Sequence, residues 1–358
     1  MQRSHINSKI VISANKKVTK GSLLICTANG SKSHLGKVAL IDDEYNYAFG
    51  GFMGLITPKA NLNSYFLFHL MTSEVYKKFI GALSDGANIN NLKFGDLEQF
   101  EIPLPPLQEQ QRIVAILDEA FAAIAQAKAN AEQNLKNAKE LFESYLQSVF
   151  ENKGEGWEEK TLGEVCKVER GSSPRPIDKY FTNEDDGVNW IKIGDTKGVD
   201  RYIYTTKQKI TKEGALKSRL VEVDDFILSN SMSFGKPYIM KTQGYIHDGW
   251  FVLRLPKDID TEFFWYLLAS PYTMNQFISL AAGAIVKNIS GDLVKRTVLP
   301  IPPLKEQQII VQKLDALSTE TKQLEAIYQR KINDLDELKK SILQKAFAGE
   351  LNTAALEV

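Results

Sequence analysis

Residues 102–118, IPLPPLQEQQRIVAILD, place two adjacent prolines directly before a helix-like apolar pattern, and residues 299–315, LPIPPLKEQQIIVQKLD, do the same again. The two stretches align at an offset of 197 residues, and the likeness continues upstream. GDLEQFEIPLPP mirrors GDLVKRTVLPIPP. NSYFLFHLMTSEVYKKFI, from Asn63, mirrors TEFFWYLLASPYTMNQFI, from Thr261. VTKGSLLICTANGSKSHLGKVALI mirrors VEVDDFILSNSMSFGKPYIM. A period this long is not that of a solenoid. It describes one large unit duplicated, a globular part followed by a helix. A chain of 358 residues has room for two such units.

Each globular part reads as mixed. GSLLICT and DFILSNS are short apolar runs that end in polar loops, as buried strands do. RYIYTTKQKI and GWFVLRLP alternate like strands, and the two segments beginning YFLFHL and FFWYLL read as one amphipathic helix each. The long helices are clearer. The second shows Ile310, Leu314, Leu317, Leu324, Tyr328, Leu335, Leu338 and Ile342, completed by Thr321, Lys331 and Lys345 into a 4-3-4-3 heptad seam. The first shows Ile113, Leu117, Ala120, Ile124, Ala131, Leu135, Ala138, Phe142, Tyr145 and Val149, with alanines that favour helix and close approach. Pro106 and Pro303 fit the first helical turn, where a missing N–H costs nothing. Glu109 and Glu306 follow where the helix dipole favours an anion. About 40 residues give each helix roughly 60 Å, a seam longer than one small domain covers. The two helices therefore pair with each other, antiparallel if the copies are related by a pseudo-two-fold axis.

The expected architecture is α+β: two mixed α/β domains separated by two long helices in an antiparallel coiled coil. The boundaries read as 1–106 for the first domain, 107–152 for the first helix, 153–303 for the second domain, 304–350 for the second helix and 351–358 as a tail. The second copy has a long lead, residues 156–202, with no equivalent in the first, so the first domain reads as N-terminally incomplete.

Formal net charge is zero, with 44 basic and 44 acidic residues, which excludes a protein coated in positive charge but not a local basic groove. Cys26 and Cys166 have no partner spacing, which suits a reducing compartment. No stretch approaches the length of a membrane span and no signal pattern opens the chain, so a soluble cytoplasmic protein is expected.

Enzyme motifs fail on inspection. GSKSHLGKV has five residues between its glycines and Val38 where a phosphate loop carries a hydroxyl, and its mirror puts Pro237 after the lysine. There is no G-x-G-x-x-G. His5, His34, His69 and His247 lack metal or base-partner spacing, and His69 reads as a core or boundary residue on an apolar helix. What remains is polar loops at matching places. Asn29, Ser31, Lys32 and Lys37 in the first copy correspond to Asn230, Ser231, Ser233 and Lys236 in the second. ERGSSPRP supplies Arg170, Ser172, Ser173 and Arg175; GANINNLK supplies Asn88, Asn90 and Lys93; GAIVKNIS supplies Lys287 and Asn288. Amides, hydroxyls and Arg/Lys are the groups that hold phosphates and read base edges, although ordinary polar turns use the same residues.

The repeated PLPPLQEQQRIVAILD and PIPPLKEQQIIVQKLD, the ending LKKSILQKAFAGEL and the second-copy opening GWEEKTLGEVCKVERGSSP resemble the specificity (S) subunits of Type I restriction–modification enzymes. The likeness covers nearly the whole chain. It implies that each globular copy is a target recognition domain reading one half of a split site in double-stranded DNA. It implies that the helices fix the gap between half-sites and dock two methyltransferase (M) subunits, with Ile113, Leu117, Ile124, Leu135, Phe142, Ile310, Leu314, Leu317, Leu324, Leu335, Leu338 and Ile342 as the coiled-coil and partner positions. Restriction (R) subunits would join that core. S-adenosylmethionine would bind the M subunit, and this chain would bind no cofactor or metal and carry no catalytic residue. A coiled-coil scaffold or adaptor without sequence readout is the alternative.

Overall fold

The computed structural model describes residues 13, 16–85, 91–230, 235–281 and 290–351. In chain order its elements begin with β1 (Leu23–Cys26), β2 (Val38–Leu40), β3 (Met53–Ile56), α1 (Ser64–Leu70), α2 (Glu74–Asp85), α3 (Phe94–Leu97) and the long α4 (Leu107–Glu151). There follow β4 (Glu158–Thr161), α5 (Leu162–Val165), β5 (Lys167–Arg170), β6 (Phe181–Thr182), β7 (Val188–Ile191), β8 (Tyr202–Ile203), β9 (Gln208–Ile210), α6 (Lys212–Ala215), β10 (Arg219–Val221) and β11 (Phe226–Ser229). The chain continues through β12 (Pro237–Met240), β13 (Gly244–Ile246), β14 (Trp250–Arg254), α7 (Thr261–Ala269), α8 (Pro271–Ala281), α9 (Gly291–Lys295), β15 (Val298–Ile301) and the long α10 (Leu304–Ala348). Two compact units emerge: unit 1 takes residues 1–134 and 327–358, and unit 2 takes 135–326. Among the described residues no helix is long and apolar enough to cross a membrane.

In unit 1 the described strands form one antiparallel sheet, β2-β1-β3, in which Leu23 faces Leu40 on one side and Ile56 on the other. Leu23, Ile25, Leu35, Met71, Tyr76 and Ile80 make its core. The Gly36 that suggested a phosphate loop has a packing role. It sits at φ +75°, and a Cβ there would lie 2.9 Å from Ile80, so the backbone turns left-handed where it presses on α2.

Unit 2 contains the same three strands as β12-β11-β14, with Phe226 facing Ile239 and Leu253. Gly235, at φ +74°, presses on Phe277 as Gly36 does on Ile80. Two further strands complete this sheet, β5 on β14 and β8, parallel, on β12. A second five-stranded sheet, β10-β13-β7-β9-β6, and the pair β15-β4 have no counterpart among the described residues of unit 1. Phe226, Phe251, Phe263, Phe264 and Phe277 are at most 1% exposed and fill the main core.

The structure corrects the single helix expected in each copy. The first breaks into α1 and α2, the second into α7 and α8. Ser73 Oγ donates to Leu70 O (2.7 Å) and Ser270 Oγ to Leu267 O (2.6 Å), which ties off the preceding turn. The same hydroxyls accept from Tyr76 N and Thr273 N to start the next helix, and Pro271 occupies a first helical position. The helix starts also refine the alignment of the copies: Asn63 and Asp260, each 197 apart, cap α1 and α7 with side-chain oxygens.

The proline-stopped helix starts act through a residue that the dipole argument passed over. Gln110 and Gln307 are 0% and 1% exposed. Gln110 Nε2 donates to Pro105 O (2.8 Å) and Asn61 O (3.0 Å), and its Oε1 accepts from Asn63 N (2.8 Å). Gln307 Nε2 donates to Pro302 O (2.9 Å), and its Oε1 accepts from Asp260 N (2.7 Å). Each amide thus ties its long helix to the proline pair before it and to the cap of α1 or α7. Pro106 and Pro303 lie just before the first turn rather than in it, and Pro106 O accepts from Gln110 N.

Within each unit the segments of α4 and α10 run antiparallel. In unit 1, Phe121 lies under the Lys339 ammonium, and Lys128 pairs with Asp336 at 2.6 Å. Ile113 and Leu117 share a buried cluster with Leu343 and Ala346. In unit 2, Leu146 and Phe150 share the core with Ile310 and Leu314. The seam departs from a strict heptad. Leu324 and Leu338 are 38% and 47% exposed, whereas Ile332, Leu343 and Ala346 are buried. On α4, Leu146 and Phe150 are buried in place of Tyr145 and Val149. A helix of 3.6 residues per turn drifts about 20° per heptad from a 3.5 repeat, so the buried face moves on by one residue along each helix. Leu135, Phe142, Leu317, Leu335 and Ile342 are half-buried.

One pair distinguishes the units chemically. His69, 6% exposed, bonds through Nε2 to Asp118 Oδ1 (2.9 Å); 197 residues on, Tyr266 donates its hydroxyl to Asp315 Oδ1 (2.6 Å). Burial lowers the His69 pKa, helped by Lys339 and opposed by Asp118. A group with a depressed folded pKa contributes stability that is present above its unfolded value, ordinarily about 6.5, and lost as the pH falls through the folded one. His69→Tyr is therefore expected to make the thermal midpoint of unit 1 fall less between pH 7 and pH 5 than in the parent. Parallel curves would show that His69 does not titrate across folding. The pKa of His247, also lowered by burial, is common to both proteins and cancels.

Candidate functional site

In unit 2, three strand ends converge on Asp248, between β13 and β14. Its carboxylate accepts from Ser173 Oγ (2.7 Å) and from Arg175 (3.2 Å), and its carbonyl accepts from Asn230 Nδ2 (2.8 Å) and Arg170 Nε (3.4 Å). The Ser173 hydroxyl, with smaller contributions from His247 and Arg175, holds the Asp248 carboxyl below its usual range. Ser172 is fixed separately: its N–H donates to Ile246 O, its Oγ to Lys217 O (3.2 Å), and its carbonyl accepts from Ser218 Oγ (2.7 Å). Gly171 permits this approach, since a Cβ there would fall 2.0 Å from the His247 carbonyl. The loop after β5 is thereby held rigid while the Arg175 side chain, 80% exposed, projects a cation into solvent.

These contacts divide the expected residues. Arg170 and Arg175 are exposed, Ser172 and Ser173 half-buried, and Asn230 is 3% exposed with its amide given to the Asp248 carbonyl. Lys236 reaches Val199 O (3.2 Å) and lies over the Tyr238 ring. Ser231, Ser233, Lys287 and Asn288 lie outside the described residues. Asp248, which organises the cluster, escaped the comparison of copies because its counterpart at the same offset is Gly51. The Asp-Gly pair between two apolar strands was the available signal.

Unit 1 separates its candidates into two places. Asn29 Oδ1 accepts from Ser31 N (2.8 Å), and Ser31 Oγ meets Ser33 Oγ (2.9 Å). Asn29 shares a cavity of about 600 Å³ with Asn91 and with Phe52, which is 73% exposed. Lys32 and Lys37 line another cavity, of about 790 Å³; Lys37 Nζ lies 3.1 Å from His34 Nδ1. Lys93 precedes α3, its N–H donating to Asp96. Asn88 and Asn90 lie outside the described residues. Among the described residues no group of His, Cys, Asp and Glu is placed to hold a metal.

Comparison with known proteins covers both units. The family model described as the Type I restriction modification DNA specificity domain matches residues 2–137 and again 154–333. The chain is 27% identical over 362 residues to the Type I restriction enzyme EcoKI specificity subunit of Escherichia coli (strain K12), covering 96% of this chain and 77% of that protein. It is 27% identical over 365 residues to the StySPI specificity subunit of Salmonella potsdam, with the same two shares. Among solved structures, a chain from work on complex assembly and conformational transition of the type I R-M system shares the fold with a TM-score of 0.77 at 22% identity, covering 95% of this chain and 85% of that one. The HsdS subunit from Thermoanaerobacter tengcongensis gives 0.64 at 22% identity, over 95% of this chain and 84% of that one. A family match that falls once on each sheet-bearing unit, and together covers most of the sequence, means that the chain belongs to the Type I restriction–modification DNA specificity family, as an S subunit engaged in DNA sequence recognition.

Proposed function

We propose that unit 1 and unit 2 each read one half of a bipartite double-stranded DNA site, and that α4 and α10 set the gap between the halves and dock two methyltransferase subunits. The observation that carries this reading is the repetition itself: the same three-stranded sheet, helix pair and buried glutamine joint occur in both units. In unit 2 the Asp248 cluster would present Arg170 and Arg175 to phosphates and the serine loop to base edges. In unit 1, Asn29, Phe52 and Asn91 offer amide edges and a ring face beside one cavity.

On this reading the chain is not itself a catalyst. Adenine methylation would be performed by the M subunit with its S-adenosylmethionine, and the R subunits would join the same core. The neutral overall charge fits a subunit that shares phosphate contacts with partners, since a self-sufficient DNA binder gains affinity from many Lys and Arg contacts.

The ruler is tested by insertion. Seven residues added to both long helices keep the seam on one face and lengthen each by about 10 Å, or about three base pairs of duplex. Sequencing the methylated adenines in cells carrying the lengthened chain and its M partner is expected to show the same two half-sites with a gap about three base pairs wider. An unchanged gap rejects the ruler.

A further inference from the structure

The turn that follows α6 in unit 2 holds one apolar side chain out in water. Leu216 is 87% exposed, more than any other large apolar residue among those described. A lone exposed leucine is ordinary on a protein surface. This one stands on a fixed backbone beside the loops that are candidates for DNA contact. Thr211 caps α6, its Oγ1 accepting from Gly214 N (3.2 Å), and Leu216 N donates to Lys212 O (3.2 Å). Gly214 lies so near Tyr180 that a Cβ there would fall 2.8 Å from the tyrosine Cβ. The next two residues turn back into the protein. Lys217 lays its ammonium over the Tyr180 ring, 4.7 Å from the centre, and its carbonyl accepts from Ser172 Oγ (3.2 Å). The Ser218 hydroxyl is shared between the carbonyls of Ser172 (2.7 Å) and Ile246 (3.0 Å). Ser172 adjoins Ser173, which Asp248 holds, so the Leu216 turn and the Asp248 cluster are joined through one residue.

Unit 1 makes a similar arrangement from other elements. Its most exposed large apolar side chain among the described residues is Phe52, at 73%, and it borders the same cavity as Asn29 and Asn91. The Phe52 carbonyl accepts from Thr27 N (2.9 Å) and Ala28 N (3.2 Å), so this residue too is anchored by its backbone while its ring faces outward. In both units the least covered apolar side chain falls among the polar groups offered to DNA. Burial of apolar surface is favourable when the partner is apolar. The major groove is lined with donors and acceptors, and its apolar feature is the thymine 5-methyl group. A base face is apolar as well, but reaching it requires unstacking. The hydroxyls of Ser172 and Ser173 beside the Leu216 turn suit base edges, which is where the methyl lies.

We propose, on the reading of unit 2 as a DNA-recognition domain, that Leu216 packs against the 5-methyl group of one thymine in the half-site of that unit. The leucine thereby selects thymine over cytosine at one position, which the polar cluster does not do by itself.

The test uses uracil, which keeps every hydrogen-bonding group of thymine and lacks only the methyl. Sequencing of methylated adenines, as for the ruler, gives the two half-sites. Duplexes of that site, with each thymine on either strand replaced singly by deoxyuridine, are then titrated with the chain and the methyltransferase subunit proposed for it. At one position in one half-site the replacement is expected to weaken binding about four-fold, the effect of one methyl losing its apolar contact. Leu216→Ala should bind the thymine and uracil duplexes alike at that position and keep the parent's response at every other thymine. Leu216→Met should restore the preference. Since Leu216 is exposed, the alanine variant should keep the parent's thermal midpoint. A site with no thymine in either half, or a thymine preference that Leu216→Ala leaves intact at every position, overturns the proposal. So does an equal loss on thymine and uracil duplexes, which assigns the side chain to a base step or to the protein partner. A methylated site that is not bipartite rejects the two-domain reading, and this proposal with it.

Discussion

Gln110→Ala is expected to destabilise unit 1 by about 3–5 kcal/mol. The side chain is fully buried and satisfies three backbone groups at once: Asn63 N, Asn61 O and Pro105 O. Its removal leaves a donor and two acceptors without partners, each costing about 1–3 kcal/mol when no water enters. Neither proline of the pair has an N–H, so the prolines leading into α4 offer no backbone donor with which to recover the loss. Gln307→Ala should behave alike in unit 2, where Asp260 N and Pro302 O lose their partner. The adjacent Gln111 and Gln308 are exposed, and alanine there should change stability by no more than about 0.5 kcal/mol. Hydrogen exchange at the start of α1 and α4, read for Gln110→Ala and Gln111→Ala, checks the contrast. Equal protection in the two variants would show that the joint is held by apolar contacts instead.

Asp248→Ala is expected to weaken sequence-specific DNA binding by the chain, assayed with the methyltransferase partner proposed for it, by about 100-fold, while binding to unrelated duplex changes little. This follows from the proposed role of unit 2. Asp248 touches four of the expected contact residues through side chain or carbonyl, and its carboxylate fixes Ser173 and Arg175. Without it the loop after β5 loses the order needed to meet base edges, and each good base contact is worth about 1–3 kcal/mol of discrimination. Arg175→Ala makes the useful comparison. As a phosphate contact it should lower affinity for every duplex alike and reduce the salt dependence by about one unit of slope. Binding titrations at several salt concentrations separate the two. A uniform loss for Asp248→Ala would assign that residue to electrostatics rather than to readout.

How far the sequence could be read depended on the range of the interactions involved. The buried strands LLIC and FILS, the helix starts at Leu107 and Leu304 and the antiparallel pairing of the long helices were all legible. Each rests on local periodicity, on proline or on the repeat. The breaks after Leu70 and Ala269 were not legible, because a serine hydroxyl tied to the preceding carbonyl resembles any other helical serine until its partner is seen. Near the helix starts the expected seam residues Ile113, Leu117, Ile310 and Leu314 are buried, whereas further along Leu338 faces solvent and Leu343 does not. A strict heptad accumulates an angular error that only packing resolves. In the loops, residue type named Asn230 and Arg175 together. Burial then separated a side chain committed to Asp248 from one that faces solvent.

The sequence by itself determined that there is one globular unit and one long helix, twice over, and which family motif joins them, because proline stops, apolar periods and a repeat are properties of neighbours along the chain. Only the tertiary structure decided that Gln110 and Gln307 make the joint and that Asp248 gathers the loops of unit 2. Those outcomes depend on buried and half-buried polar groups finding partners 47 to 75 residues away, and that requirement is met in space rather than in sequence.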